Sequence, residues 1–441
     1  MSFKVITFGC QMNRSRSEHI EYLLKEAGFR ACSEEEEPDI VIFNTCAVRE
    51  HAKDRAISII GQFASKKRKN GFPIILVCGC MSQIYREELL QHVPNIDVLL
   101  GTHNLEEIPL LIQERLTNGG DTRPQLSFWE KPEKQFLEEG YSRKPGISAF
   151  LPITYGCNNF CSYCIVPYAT GPQRSKPVEL ILKELQKILE EGFKEVTLLG
   201  QNVNSYGEDL GMKWGFERLL ESIEKLVEEK SPGVWVRFIT SHPKDMRKSI
   251  VDLVKESKAL CTYFHLPIQA GSNKILKLMN RGYTKEKYLE IASYIRDTIP
   301  DASIGTDIIV GFPEETEEDF QQTLEVVKKV QFEIAYTFAY SPRPGTRASS
   351  MPDSVLPQEK KRRLLELNQL VRKEYQERVK RMQGKTVTLL IDQQEKIPSG
   401  RTPSNLRVFV KGNLENKVKV GDILLVKITE VRDGKSFGEK A

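Results

Sequence analysis

Short apolar runs alternate with amphipathic stretches along most of this chain. Lys4–Phe8, Asp39–Phe43 and Pro73–Val77 are rich in Val, Ile, Leu and Phe, and each predicts a buried strand. After each, apolar residues recur every three or four positions. That spacing predicts helices from about Ser15 to Ala27, from beyond Glu50 to about Arg68, and again after Gln83. A β-α-β-α-β-α order implies a parallel sheet with helices on both faces. The alternation resumes further on. Strands are expected at Ala149–Thr154, Glu195–Leu199, Val234–Thr240, Thr262–Pro267, Ser303–Val310 and Glu333–Phe338. The helices between them are Val178–Glu190, Glu217–Glu229, Lys244–Lys255, Lys285–Thr298 and Glu317–Lys329, and a last one runs from about Pro357 to Met382. Six such units fall short of the eight that close a full barrel, so a partial (β/α)6 barrel with an open side is expected. Beyond Gly384 only short strands remain, at Lys385–Asp392, Leu406–Lys411 and Ile423–Val431, which predicts a small β-barrel.

The fold class is therefore α/β in three parts: a doubly wound parallel-sheet domain (1–126), the partial barrel (146–383) and the small β-barrel (384–441). Residues 127–145 read as a linker: Ser127–Ser142 is polar and weakly periodic, with Phe128 and Trp129 as its docking side chains.

Composition changes this picture little. The chain has 441 residues, of which 40% are hydrophobic and 28% charged, an ordinary globular balance. No apolar run approaches the roughly 18–20 residues a membrane span needs. Nine cysteines, an odd number, argue against a disulfide framework. The first residues read as a strand rather than a secretory leader. A reducing, cytoplasmic compartment is expected. Charge is more telling by region. From Gln358 to Lys385 ten Lys/Arg stand against four Asp/Glu, and from Thr386 to Ala441 ten stand against seven, while the whole chain is only +4. The carboxyl end is thus built to meet an anion, and RNA fits a basic helix followed by a small barrel.

The chemistry gathers on cysteines. Cys157, Cys161 and Cys164 form a Cys-x3-Cys-x2-Cys loop just after a strand. Three thiolates can hold three corners of a cubane iron–sulfur cluster and leave one iron open. A zinc site fits less well, because zinc ligands usually come as two paired arms. Cys10, Cys46 and Cys80 each lie beyond the carboxyl end of a predicted strand, about one βα unit apart. Ligands bind at that edge of parallel sheets, so a second three-cysteine cluster is expected there. Free cysteines are also common core residues. Cys78 competes with Cys80, since two residues apart on a strand they would share a face; Cys80 is preferred for its place in the turn. Cys32 and Cys261 read as inert. Polar and glycine-rich segments end the barrel strands: Gly200-Gln201-Asn202, Ser241-His242-Pro243, Gln269-Ala270-Gly271 and Gly311-Phe312-Pro313. Each could be an ordinary turn, but together they favour a bound small molecule, with His265 and Gln269 facing the same mouth.

These residues resemble a known family. The Cys157/Cys161/Cys164 loop, with Tyr163 as its aromatic, resembles the radical S-adenosylmethionine signature. Gly9-Cys10-Gln11-Met12-Asn13, Asn44-Thr45-Cys46-Ala47-Val48-Arg49 and Gly79-Cys80 resemble the three cysteine motifs of methylthiotransferases, and the tail resembles a TRAM domain. Gln11-Met12-Asn13 points to the branch acting on tRNA.

The resemblance implies two 4Fe–4S clusters, each held by three cysteines with one open iron, and S-adenosylmethionine. It implies that Tyr163, Gly200, Gln201, Asn202, Ser241 and Gln269 contact that cofactor. The implied reaction is radical methylthiolation at C2 of N6-isopentenyl (dimethylallyl) adenosine beside the anticodon, with sulfur supplied through the Cys10/Cys46/Cys80 cluster. The implied partners are the anticodon stem-loop, an electron donor such as flavodoxin or ferredoxin, and a sulfur-supplying system, with no membrane and a monomeric state. Methylthiolation of another tRNA base or of a ribosomal protein, and a non-catalytic RNA-binding iron–sulfur protein, are the alternatives.

Overall fold

The computed structural model describes residues 1–47, 50–67, 72–117, 124–128, 140–412 and 418–441, the side chains of 50–52 excepted. Six strands form the first sheet: β1 (Ser2–Thr7), β2 (Arg30–Ala31), β3 (Ile40–Thr45), β4 (Ile74–Gly79), β5 (Val98–Leu100) and β6 (Gln125–Ser127). All are parallel, in the order β2-β1-β3-β4-β5-β6. Every residue of β3 and β4 is buried, as expected where helices cover both faces. Val41, Phe43, Ile75 and Val77 pack on one side with Ala56 and Ile60 of the helix Glu50–Ser65. Ile40, Ile42, Ile74, Leu76 and Cys78 pack on the other with Ile20 and Leu24 of the helix Gln11–Glu26.

Two features differ from the sequence expectation. β3 and β4 run two residues beyond their apolar runs, because Asn44 pairs with Cys78 and Thr45 with Gly79. The sheet also gains β2, β5 and β6, each too short to announce itself by pattern. β6 takes the first residue of the expected linker, and the Phe128 ring lies 3.9 Å from the Arg86 guanidinium carbon. The second helix ends at Ser65, three residues short of the expected Arg68, and Trp129 lies outside the described residues.

The barrel strands are β7 (Ser148–Pro152), β10 (Glu195–Leu199), β11 (Trp235–Phe238), β12 (Tyr263–His265), β13 (Ser303–Val310) and β14 (Ile334–Ala339), with a small antiparallel pair, β8 (Thr154–Tyr155) and β9 (Arg174–Ser175), at the mouth. They form two parallel sheets, β11-β10-β7 and β12-β13-β14, joined by a bridge from Val236 to Leu260. The helix Val178–Glu190 buries Ile181, Leu185, Ile188 and Leu189, a single apolar stripe against the strands. A capping box between Thr316 and Asp319 starts the helix Glu317–Val330.

The helix Pro357–Lys380 leads into a closed barrel of β15 (Thr386–Gln393), β16 (Ser399–Arg401), β17 (Arg407–Val410), β18 (Ile423–Arg432) and β19 (Lys435–Lys440), ordered β15-β16-β17-β19-β18. This barrel is docked at the amino ends of β10 and β11. Buried Arg237 donates to Glu195 at 2.5 Å, to the Thr402 carbonyl at 2.8 Å and to the Pro403 carbonyl at 2.7 Å, while Arg401 reaches Glu195 at 2.7 Å. Burial alone would raise the Glu195 carboxyl, but Arg237 and Arg401 outweigh it and hold it low. Trp235, Cys261 and Leu390 close the joint with apolar contact.

Candidate functional site

The Cys157–Cys164 loop is held from across the barrel. Ser162 donates from its amide to Met279 O (3.0 Å) and from its hydroxyl to Leu278 O (2.8 Å), and Ala348 N donates to Ser162 O (2.7 Å). Gly156 has φ +75, and a Cβ there would sit 2.1 Å from Pro172 O, so only glycine lets the loop turn out of β8. Cys161 is buried; Cys157 and Cys164 are half-buried. Desolvation raises the Cys157 and Cys164 thiols, and Cys161 pushes both in the same direction, as three thiols facing one point would.

Buried Arg281 is the residue that sequence pattern missed, since a lone Arg after a helix carries no periodic or motif signal. It donates to Cys161 Sγ at 3.3 Å, to Tyr163 Oη at 3.5 Å, to Tyr283 Oη at 3.1 Å and to Pro267 O at 2.7 Å. A guanidinium at a cluster sulfur is one of the protein's means of setting redox potential.

The second triad is assembled by the sheet. The chain leaves β1 toward β2 on one side and returns to β3 on the other, so β1/β3 is the topological switch point where such sheets bind ligands. Cys10 follows β1 and caps the helix Gln11–Glu26. Cys46 follows β3, and Cys80 opens the helix Cys80–Ile84 after β4. A Cβ on Gly9 would lie 2.4 Å from Cys46 Cβ, so the Cys10 loop rests directly on Cys46. Asn13 ties the loops together by donating to Phe8 O (2.8 Å) and Thr45 O (2.9 Å), and Asn44 donates back to Asn13 O (2.8 Å). Burial pushes the Cys80 thiol up to about 12; Cys46 and Cys10 add to the rise, and Arg16, hydrogen-bonded to it, opposes them.

Cys78 and Cys80 do not share a face, contrary to the strand-based expectation. β4 ends at Gly79 (φ +97), so Cys80 is already helical while Cys78 points into the opposite core. Among the described residues, no three Cys, His, Asp or Glu side chains close on a single metal ion. A cubane asks for a different arrangement, in which each thiolate takes a different iron.

The segments that carry the two triads meet along one seam. The helix Cys80–Ile84 shares a core with Ile165 and Ala169 of the segment after Cys164. Thr102 Oγ1 donates to Ala169 O (2.7 Å). Arg174 donates to His103 Nδ1 (2.8 Å), which leaves Nε2–H to donate to Thr170 O (3.0 Å). Met12 plugs into the barrel against Tyr155 and Leu199. The Gln11-Met12-Asn13 motif thus docks one domain and ties its own loops.

At the barrel mouth, Thr154 Oγ1, Gln201 Oε1, Ser241 Oγ, His242 Nε2 and His265 Nε2 are buried without hydrogen-bond partners inside the protein. His242 Nδ1 accepts from Lys244 N (3.2 Å) and His265 Nδ1 from Thr240 N (3.3 Å), so each ring carries its hydrogen on Nε2, and that of His265 lies 3.6 Å from the Asp307 carboxylate. Burial lowers both imidazoles and keeps them neutral. Buried polar groups without a partner in the chain call for one from outside it. Gln201 and Ser241, two of the expected cofactor contacts, are among them. Gln269 holds φ +72 beside it, bridging Asp307 and Ile309 through its backbone.

Three expected contacts also have neighbours inside the protein. Asn202 donates to Asp245 (2.7 Å) and accepts from His242 N (3.1 Å). Gly200, Gly271 and Gly311 make room for Thr154, Thr323 and Lys360. The Tyr163 ring packs in the apolar cluster with Ile275, Met279 and Phe312.

Comparison with known proteins covers the same three parts. Residues 2–101 match uncharacterized protein family UPF0004, residues 151–327 the radical SAM superfamily, and residues 380–441 the TRAM domain. A tRNA-2-methylthio-N(6)-dimethylallyladenosine synthase of Carboxydothermus hydrogenoformans is 45% identical over 444 residues, covering 99% of this chain and 98% of the relative. The protein of the same name from Pelotomaculum thermopropionicum is 42% identical over 438 residues, covering 98% and 95%. Among solved structures, the radical S-adenosylmethionine methyltransferase TsrM from Kitasatospora setae shares the fold, with a TM-score of 0.58 and 14% identity over 79% of this chain and 77% of that one.

Proposed function

This chain belongs to the family of tRNA-2-methylthio-N6-dimethylallyladenosine synthases, and from that premise we propose how its residues divide the work of methylthiolating C2 of N6-isopentenyl adenosine in tRNA. Cys157, Cys161 and Cys164 hold one 4Fe–4S cluster, and Cys10, Cys46 and Cys80 hold another. When bound, the clusters and S-adenosylmethionine supply the radical, the sulfur and the methyl group. The protein's own share is binding, orientation and exclusion of water. Gln201 and Ser241 take polar groups of S-adenosylmethionine, and the Nε2–H groups of His242 and His265 donate to whatever lies in the mouth. Arg281 steadies negative charge on Cys161.

The observation that carries this reading is the seam: the barrel loop with three thiols and the sheet edge with three more are fastened through Thr102, His103 and the residues after Cys164. A base inserted there would meet both. The carboxyl-terminal barrel suits the RNA side of the task. Reducing equivalents from a flavodoxin or ferredoxin and a sulfur-supplying system would complete the cycle. Among the described residues no helix is long and apolar enough to cross a membrane.

The test is nucleoside analysis of tRNA incubated with the anaerobically reconstituted protein, S-adenosylmethionine and a reductant. The 2-methylthio derivative of isopentenyl adenosine is expected; a methylthio group found only on a ribosomal protein, or on neither substrate, overturns the reading.

A further inference from the structure

An aromatic pair stands at the rim of the barrel mouth. Phe160, just before Cys161, is 51% exposed, and Tyr168, on the helix Val166–Thr170, is 43% exposed. The two rings meet edge to face with centroids 6.4 Å apart. An edge-to-face pair leaves a ring face open to a third planar group.

The backbone under Phe160 is unusual. Its φ of +44 lies in the left-handed region, where a bulky side chain is strained. Side chains from two other barrel segments hold it there. Asn280 Nδ2 donates to Phe160 O (3.0 Å) and Asn159 O (3.3 Å), and Lys244 Nζ donates to Asn159 Oδ1 (3.0 Å). Asn280 is itself at φ +56. A strained and braced loop that aims a large apolar ring at solvent gives folding nothing. Strain of this kind gathers where it serves binding.

The position narrows the purpose. Phe160 is on the cluster loop, while Tyr168 is on the seam segment that packs against the Cys80 helix. The pair therefore flanks the entrance between the two triads. Lys244, with 45% of its side chain exposed, brings an ammonium beside it that also lies 3.6 Å from the buried Asp245 carboxylate.

We propose that Phe160 and Tyr168 form a stacking platform for an unpaired nucleobase of the RNA substrate next to the target adenosine. The proposal rests on the tRNA reading above and adds a second contact to it. Single-stranded loops are recognised by splaying bases onto aromatic side chains, and such stacking tolerates any base because every base has a π-face. Lys244 serves the neighbouring phosphate.

The test uses the reconstituted full chain and an anticodon stem-loop RNA containing isopentenyl adenosine. 2-Aminopurine replaces each flanking base in turn, and its fluorescence is read with methylthiolation kinetics. In the unaltered protein, quenching is expected at one flanking position. Phe160→Ala should abolish it and raise KM about tenfold or more, with the effect concentrated in KM rather than kcat. Phe160→Trp should retain the quenching and a low KM. Phe160→Leu keeps apolar area but no ring, and should behave like Ala. Iron content reports whether the loop still folds in each variant; where it falls, the unaltered protein's fluorescence decides. No quenching at any flanking position while methylthiolation proceeds overturns the platform alone, as does a Leu variant equal to the unaltered protein. Absence of RNA methylthiolation altogether overturns the functional reading with it.

Discussion

The two cysteine triads reach the same composition by opposite routes. The barrel triad lies within one loop, and its geometry is almost a local property of the chain between Gly156 and Ile165. The amino-terminal triad is scattered over three βα units, and nothing short of the whole sheet brings it together. Their supports differ accordingly. The barrel loop is braced from outside by Met279, Leu278 and Arg281. The scattered triad is tied by amides that cross from one strand end to the next, Asn13 and Asn44 above all. A local site can fail without its domain, whereas a distributed site is as stable as the sheet that assembles it.

That contrast can be broken in order of severity. Replacing Cys157, Cys161 and Cys164 together with Ala should leave about four irons per chain, one cubane's worth, and end 5′-deoxyadenosine formation. Iron analysis and product chromatography check both; a chain with no iron would mean that the triads are one site rather than two. Asn13→Ala leaves the buried Phe8 and Thr45 carbonyls without that donor. It should cost about 1–3 kcal/mol of stability and lower the amino-terminal iron, with the barrel iron kept. Urea denaturation and iron content of the variant, alone and in the triple-Ala background, measure this. Equal loss from both clusters would remove the distinction between local and distributed support.

The smallest effect concerns the seam. Burial first, then Arg174 and Arg16, push the His103 imidazole down to about 3 from an ordinary 6.5. The unfolded chain therefore takes up this proton first. His103's contribution is full above pH 6.5 and declines as pH falls toward 3. His103→Gln should give a shallower loss of stability between pH 7 and 5 than the unaltered chain, read from urea midpoints. An unchanged slope would mean that the seam does not respond through this ring.

The sequence was most legible where a strand or helix is bounded by its own chemistry. Glu195–Leu199, Ser303–Val310, Val178–Glu190 and Lys285–Thr298 begin and end where the apolar pattern does. It was least legible where backbone pairing outruns hydrophobicity. β4 continues through Cys78 to Gly79, which is why Cys78 and Cys80 part company. β16 and β19 are largely polar and exist through their ladder partners in a closed barrel. The cysteine positions could be read because strand ends of a parallel sheet share an edge. Arg281 and the Phe160–Tyr168 pair could not, because burial of a lone cation and exposure of a ring are facts of packing. The neighbours of the glycines were hidden for the same reason: Gly200 and Gly311 are small beside Thr154 and Lys360, which no local pattern reveals.

The joint made by Arg237, Glu195 and Arg401 has a consequence for scale. It fixes the carboxyl-terminal barrel at the amino ends of the strands, while the thiols lie at the carboxyl ends. The five residues of β10, which starts at Glu195, at about 3.3 Å each, put roughly 16 Å between those levels. An RNA that met both levels would have to run the height of the barrel wall, and a hairpin too short to span that gap would gain nothing from the second contact.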